Sequence, residues 1–159
     1  MEFEEYVSAR GQELVRLGFT VSGDYQRAED LAQIALMQAF RSWRKVRKAD
    51  DPHNYVRRIL VNAYLSMARK RSFSEAPTAD LDPQRSVPDH AADIANSDDL
   101  WRALARLSAR ERVVLVLRYY QDLDDQTIAD VLGIKPSSVR ATASRALATL
   151  RKTRQSHTV

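Results

Sequence analysis

Ser137, Ser138, Arg140, Ala141, Ser144 and Arg145 fall within nine residues, and their types suit the reading of base edges. Arginine pairs bidentately with guanine, a hydroxyl serves either a base or a phosphate, and the alanine methyl can meet the thymine methyl. At about 100° per residue, the helical period, Ser137, Ala141, Ser144, Arg145 and Ala148 share one face, with Ser138 and Arg140 at its edges. Val139, Ala143, Ala146, Leu147 and Leu150 gather on the other. Small residues on an exposed face let a helix sit deep in a major groove. From Lys135 onward there are six Lys/Arg and no acidic residue, a phosphate-facing composition. For Arg151, Lys152 and Arg154 a solvated basic tail is the plainer alternative.

A second cluster lies between Lys45 and Arg69. Lys45, Arg47, Lys48, Arg57 and Arg58 would hold phosphates, and His53 or Tyr55 would add stacking. Arg58, Asn62 and Arg69 fall in a narrow arc opposite Val56, Leu60, Ala63 and Met67. Asn62 offers both a donor and an acceptor. Cations that follow a backbone beside rings able to stack are the ingredients of a nucleic-acid surface. A merely solvated basic helix is the alternative.

Nothing points to catalysis. His53, His90 and His157 are scattered without metal-ligand spacing. There is no Gly-rich phosphate loop, and with no cysteine there is no thiolate or disulfide. No cofactor or metal is expected. The longest aliphatic run, Val113 to Leu117, is too short for a membrane span, and the acidic start of the chain is unlike a signal peptide. A cytoplasmic protein without membrane insertion is expected.

The net charge of +4 hides a segregated pattern. Residues 1–40 carry three basic and seven acidic groups, 41–71 ten and two, 72–100 one and seven, and 135–159 six and none. Two basic blocks are separated by an acidic one.

Helices must position these clusters. Ala129, Gly133 and Val139 have helix-turn-helix spacing: a small residue at the crossing, a glycine able to end a helix in the left-handed region, and the first buried residue of the next helix. Pro136 suits that helix's first turn. An ordinary helical hairpin is the alternative to a DNA-reading one. Upstream, Ser108 to Glu111 forms a capping box, which favours helix over strand for the Val113–Leu117 run, and Asp124 can cap the helix holding Ala129. In the N-terminal half, one helix is predicted from Glu2 to about Leu17 and a second from Tyr25 to about Trp43 with Asp24 as cap. A basic loop over 44–50 follows, then a third helix from Asp51-Pro52 through Arg71. Residues 72–97, with Pro77, Pro83, Pro88 and five acids, read as a linker. Extended, it would reach on the order of 80 Å. The predicted fold is all-α: two small helical domains, 1–71 and 98–159, joined by a flexible acidic linker.

These segments resemble a known family. Ala28-Glu29-Asp30-Leu31-Ala32-Gln33 with Phe40-Arg41 resembles the region 2 helix of extracytoplasmic-function sigma factors, among them the actinobacterial SigE-type members. Asp51-Pro52 through Tyr55-Val56, with Ile59 to Asn62, resembles the segment that melts promoters and reads the −10 element. Leu107-Ser108 through Arg118-Tyr119-Tyr120, with the helix-turn-helix, resembles region 4, which reads the −35 element.

The resemblance implies a dissociable specificity subunit of RNA polymerase core. Asp30, Gln33 and Gln38 would face the largest subunit, and region 4 would bind the second-largest. Lys48, His53, Tyr55, Arg57, Arg58, Asn62 and Arg69 would serve the −10 element. An anti-sigma partner is known for many members. One departure is Ile34, where the family often has Glu. A stand-alone regulator with an N-terminal sensor domain is the competing reading.

Overall fold

The structure is a computed structural model that describes residues 1–74 and 98–156. Side chains are described for 1–71 and 99–152. The acidic linker read at 72–97 therefore lies almost wholly outside the described residues, as do His90 and His157. The described residues contain helices and no strand, and they divide into two compact units.

In the first unit, α1 spans Phe3–Ser22, α2 Tyr25–Arg41, α3 Trp43–Arg47 and α4 Pro52–Ser74. Helix α1 runs about a turn beyond the predicted end at Leu17. Val21 is fully buried there, and Gly23, at φ 74°, caps the helix with its N–H on the Phe19 carbonyl at 2.8 Å. Asp24 then caps α2, its Oδ1 accepting from Gln26 N at 2.8 Å and Arg27 N at 3.2 Å. The two helices cross where Gly18 meets Ala28. A Cβ built on Gly18 would stand 3.0 Å from the Ala28 Cα.

The predicted basic loop at 44–50 is partly helix. The chain breaks at Ser42 and coils again as α3, because Val46 and Trp43 have core partners. Val46 is fully buried, and the Trp43 ring packs edge-on to Phe3 and tilted against Tyr6, each at 5.5 Å. Helix α4 packs on α1, α2 and α3 through Val56, Leu60, Val61, Tyr64 and Leu65.

In the second unit, α5 spans Asp98–Ala105, α6 Ala109–Leu115, α7 Asp125–Leu132 and α8 Pro136–Ser156. The capping box forms: Ser108 N donates to Glu111 Oε1 at 3.0 Å, and Glu111 N to Ser108 Oγ at 3.1 Å. Val113 through Leu117 are all buried, so the aliphatic run is a helix enclosed on every side. Its last turn widens over Val116–Tyr120, where Gln121 N donates to the Val116 carbonyl five residues back. A left-handed Asp122, φ 55°, then leads into α7. Asp124 caps α7 by accepting from Thr127 N at 2.8 Å. That hydrogen bonding, chiefly from Thr127, holds the Asp124 carboxyl below its ordinary pKa.

Gly133 ends α7 at φ 68°, and Ile134 N reaches back to the Ala129 carbonyl at 3.1 Å. Helix α8 starts at Pro136, and Val139 N donates to the Lys135 carbonyl. With Ala129 and Val139 both buried, α7 and α8 pack as the two arms of a helix-turn-helix.

Candidate nucleic-acid interface

Helix α8 turns Val139, Thr142, Ala143 and Ala146 inward. All six residues singled out for base reading, Ser137, Ser138, Arg140, Ala141, Ser144 and Arg145, are exposed on it. The two arginines are held differently. Arg145 Nη2 donates to Thr142 Oγ1 at 3.2 Å, so a hydroxyl on the buried side of the same helix steadies it. Arg140 Nη1 lies 3.8 Å from Asp125 Oδ2 on α7, and the other oxygen of that carboxylate is 3.5 Å from Arg118 Nε. Thr142 and Asp125 were not among the sequence candidates. Thr142 stands three residues from both Val139 and Arg145, a helical neighbour of each, which is the signal that could have found it. Asp125 depends on the crossing of α7 and α8 and left no such mark.

On α4, Arg58, Asn62 and Arg69 are exposed and Tyr55 is half-buried. Lys45, Arg47 and Lys48 project from α3 and the turn after it. Two residues are placed otherwise than expected. Arg57 is 8% exposed, on the same face as Val61 and Tyr64, and its Nη1 donates to Asn54 Oδ1 at 2.8 Å. It braces the start of α4 from beneath and does not offer itself to phosphate. Burial lowers its pKa, with Asp51 and Tyr6 opposing that shift and Arg10 adding to it.

His53 is not a stacking platform either. Its Nδ1 is 2.9 Å from Tyr6 Oη, and its Nε2 is 3.3 Å from Glu13 Oε2. A carboxylate only accepts, so Nε2 carries the ring proton, Nδ1 is bare, and the Tyr6 hydroxyl donates to it. Burial first, then the Arg57 and Arg10 charges, lower the His53 pKa to about 4, which keeps the ring neutral. Burial likewise raises the Tyr6 pKa above its ordinary value. The sequence signal lay in spacing: His53, Val56, Arg57, Leu60 and Tyr64 form one helical stripe, which packs against α1.

Helix α2 shows a third surface. Asp30, Gln33 and Gln38 are exposed, with Gln26 Nε2 donating to Asp30 Oδ1 at 3.2 Å. Between them stand the exposed apolar side chains of Ile34, Met37 and Phe40, and a shallow groove lined by Phe3, Val7, Leu36 and Met37 runs alongside. Ile34, Met37 and Phe40 thus form an exposed apolar strip on one helix, the kind of surface that protein contacts use.

Two family descriptions match the chain in order, Sigma-70 region 2 over residues 6–74 and Sigma-70, region 4 over residues 97–150. The chain is 34% identical over 152 residues to the RNA polymerase sigma-E factor of Streptomyces avermitilis, covering 96% of this chain and 84% of the relative. This protein is an RNA polymerase sigma factor of the sigma-70 family. It groups with the extracytoplasmic-function members. ECF RNA polymerase sigma factor SigM of Mycobacterium tuberculosis is 29% identical over 93% of this chain and 74% of that one. In fold it is similar to the sigma factor RpoE of Bartonella quintana, solved in complex with the anti-sigma factor NepR, at a TM-score of 0.76, 23% identity and 96% coverage of each chain.

As a sigma factor it binds RNA polymerase core and promoter DNA and directs transcription initiation. A stand-alone regulator is not favoured, because the N-terminal half matches Sigma-70 region 2. Among the described residues no helix is long and apolar enough to cross a membrane.

Proposed function

We propose that residues 1–71 dock on polymerase core and open the −10 element, that 98–159 read the −35 element, and that 72–97 tether the two. The carrying observation is that each unit backs one exposed helix face of sequence-identified polar residues with core, His53 and Arg57 having turned inward. In α8 that face carries Arg140 and Arg145 among Ser137, Ser138, Ala141 and Ser144 over Val139, Ala143 and Ala146. In α4 it carries Arg58, Asn62 and Arg69 over Leu60, Val61 and Tyr64.

Asn62 pairs with an unstacked base, Arg58, Arg69 and Lys48 hold phosphates, and Tyr55 borders the base. Two promoter elements about two helical turns apart lie roughly 70 Å from one another, within the span of an extended tether of this length. Catalysis belongs to the polymerase, and the sigma factor works where polymerase and template are, in the cytoplasm.

Asp30, Gln33 and Gln38 meet the largest polymerase subunit. Ile34, Met37 and Phe40 supply the apolar centre of that contact, in keeping with protein interfaces that place apolar anchors inside a polar rim. Ile34 stands where the family often has Glu, so the contact at that position is apolar. An anti-sigma protein would act by covering this same face.

Titrating fluorescently labelled sigma factor with polymerase core tests the docking. Met37→Lys combined with Asp30→Lys should weaken core binding more than tenfold while the circular dichroism spectrum stays helical. Unchanged affinity would remove α2 from the interface.

A further inference from the structure

Asp125 opens α7, yet it does not cap that helix. Asp124 does so, accepting from Thr127 N at 2.8 Å. Each Asp125 oxygen instead meets one arginine: Oδ1 lies 3.5 Å from Arg118 Nε, and Oδ2 lies 3.8 Å from Arg140 Nη1. The side chains differ in exposure, 21% for Asp125, 31% for Arg118 and 59% for Arg140. The carboxylate is thus held on one side by the less exposed Arg118 and meets the more exposed Arg140 on the other. An acid in the first turn favours the α7 dipole, and partly exposed ion pairs of this length add little more to stability; neither effect requires the carboxylate to lie beside Arg140.

We propose that Asp125 is a specificity-determining residue of −35 reading: it aims Arg140 at a base edge and withholds that arginine from phosphate. This rests on the role given to Arg140 above. The physical basis is a difference between two ligands. A guanine edge is uncharged and presents two acceptors, so an arginine already neutralised on one side still binds it. A phosphate is an anion and is repelled by the carboxylate about one ion-pair distance behind the guanidinium. Discrimination is the difference between those two affinities, and a group that penalises the wrong ligand enlarges it. Asp125 therefore acts as a positioning residue through Arg140 and need not touch DNA.

The test uses the holoenzyme, reconstituted from polymerase core and the full chain. Binding is measured across a salt series on two duplexes: a promoter selected from a randomised library by the wild-type holoenzyme, and DNA of unrelated sequence. Asp125→Asn keeps the shape of the side chain and leaves the Asp124 cap in place. It should raise affinity for the unrelated DNA about fivefold near 0.15 M salt and steepen its salt slope by about 0.9, the effect of one further phosphate contact. The preference for the −35 base read by Arg140 should fall severalfold. Arg140→Ala should abolish that preference, and in its background Asp125→Asn should change discrimination no further.

Arg140→Ala abolishing the preference while Asp125→Asn alters neither slope nor discrimination would overturn the proposal and leave the reading of Arg140 standing. An Asp125→Asn effect that persists undiminished without Arg140 would also overturn it. An intact preference in Arg140→Ala would remove that reading and the proposal together.

Discussion

At the start of α4, His53 is bonded to Tyr6 and Glu13 of α1, and Arg57 lies beneath it at 8% exposure. At the corresponding place in the second unit, α8 begins on Pro136 and a backbone turn at Lys135, and its buried polar side chain is the neutral Thr142. The first helix is thus seated by charged and titratable groups largely taken out of water, the second by a backbone turn, small residues and carbon. A buried polar chain is costly to leave half-made and so fixes one geometry. On the proposed reading, that suits a segment holding a base out of the duplex, whereas a helix entering a regular groove needs only a smooth, well-backed face.

That contrast can be broken from either side. The largest effect is expected at the α1–α2 crossing. Gly18→Val would drive atoms into the Ala28 backbone, which already lies at 3.0 Å from a Cβ there, and should cost about 3 kcal/mol. Thermal unfolding followed by amide exchange should show the loss in residues 1–71, with α7 and α8 protected as before.

Next comes the pH dependence of the first unit. His53 has a folded pKa of about 4 against an ordinary 6.5. Below 6.5 the unfolded chain takes up a proton that the fold refuses. Stability should therefore be complete above about pH 6.5 and fall as pH drops toward 4, by on the order of 2 kcal/mol. His53→Gln should flatten this part of the profile. The second unit, followed through amides of α7 and α8, should lack this contribution. A profile in which both units lose protection equally between pH 6.5 and 4 would erase the difference drawn here.

A smaller change is expected at the caps. Asp124→Ala removes the acceptor for Thr127 N and should cost about 1 kcal/mol, seen in denaturant midpoints with an unchanged slope. The smallest effect has the opposite sign. Asp122 sits at φ 55°, where glycine carries no steric penalty, so Asp122→Gly should gain a few tenths to about 1 kcal/mol. No gain in midpoint would show that local hydrogen bonding already offsets the strain.

How far the sequence reached follows the same division. In the second unit the stop at Gly133, the capping box at Ser108 and Glu111, the Asp124 cap and the exposed face of α8 carrying Arg140 and Arg145 were all legible, because each is a local rule spanning at most a few turns. In the first unit the α4 face carrying Arg58 and Asn62 was legible for the same reason. Arg57 and His53 were misplaced because residue type outweighed position: a cation and an imidazole on a basic segment read as nucleic-acid ligands, although both fall on the stripe that packs inward. Their partners, Tyr6 and Glu13, come from a helix about forty residues earlier, a distance that no periodicity spans. The break at Ser42 was missed because Trp43 and Val46 gain their partners only once α1 and α4 are in place. The Asp125 link between Arg118 and Arg140 exists only after α7 and α8 cross.

The central claim is that two separate helices of one chain read two separate promoter elements when mounted on polymerase. Run-off transcription from a randomised promoter library, with core polymerase and the wild-type, Asn62→Ala or Arg140→Ala chain, tests it most directly. The account predicts that Asn62→Ala relaxes preference within the −10 element alone and Arg140→Ala within the −35 element alone. Libraries in which both variants recover the wild-type promoter profile, or in which either alters both elements alike, would contradict it.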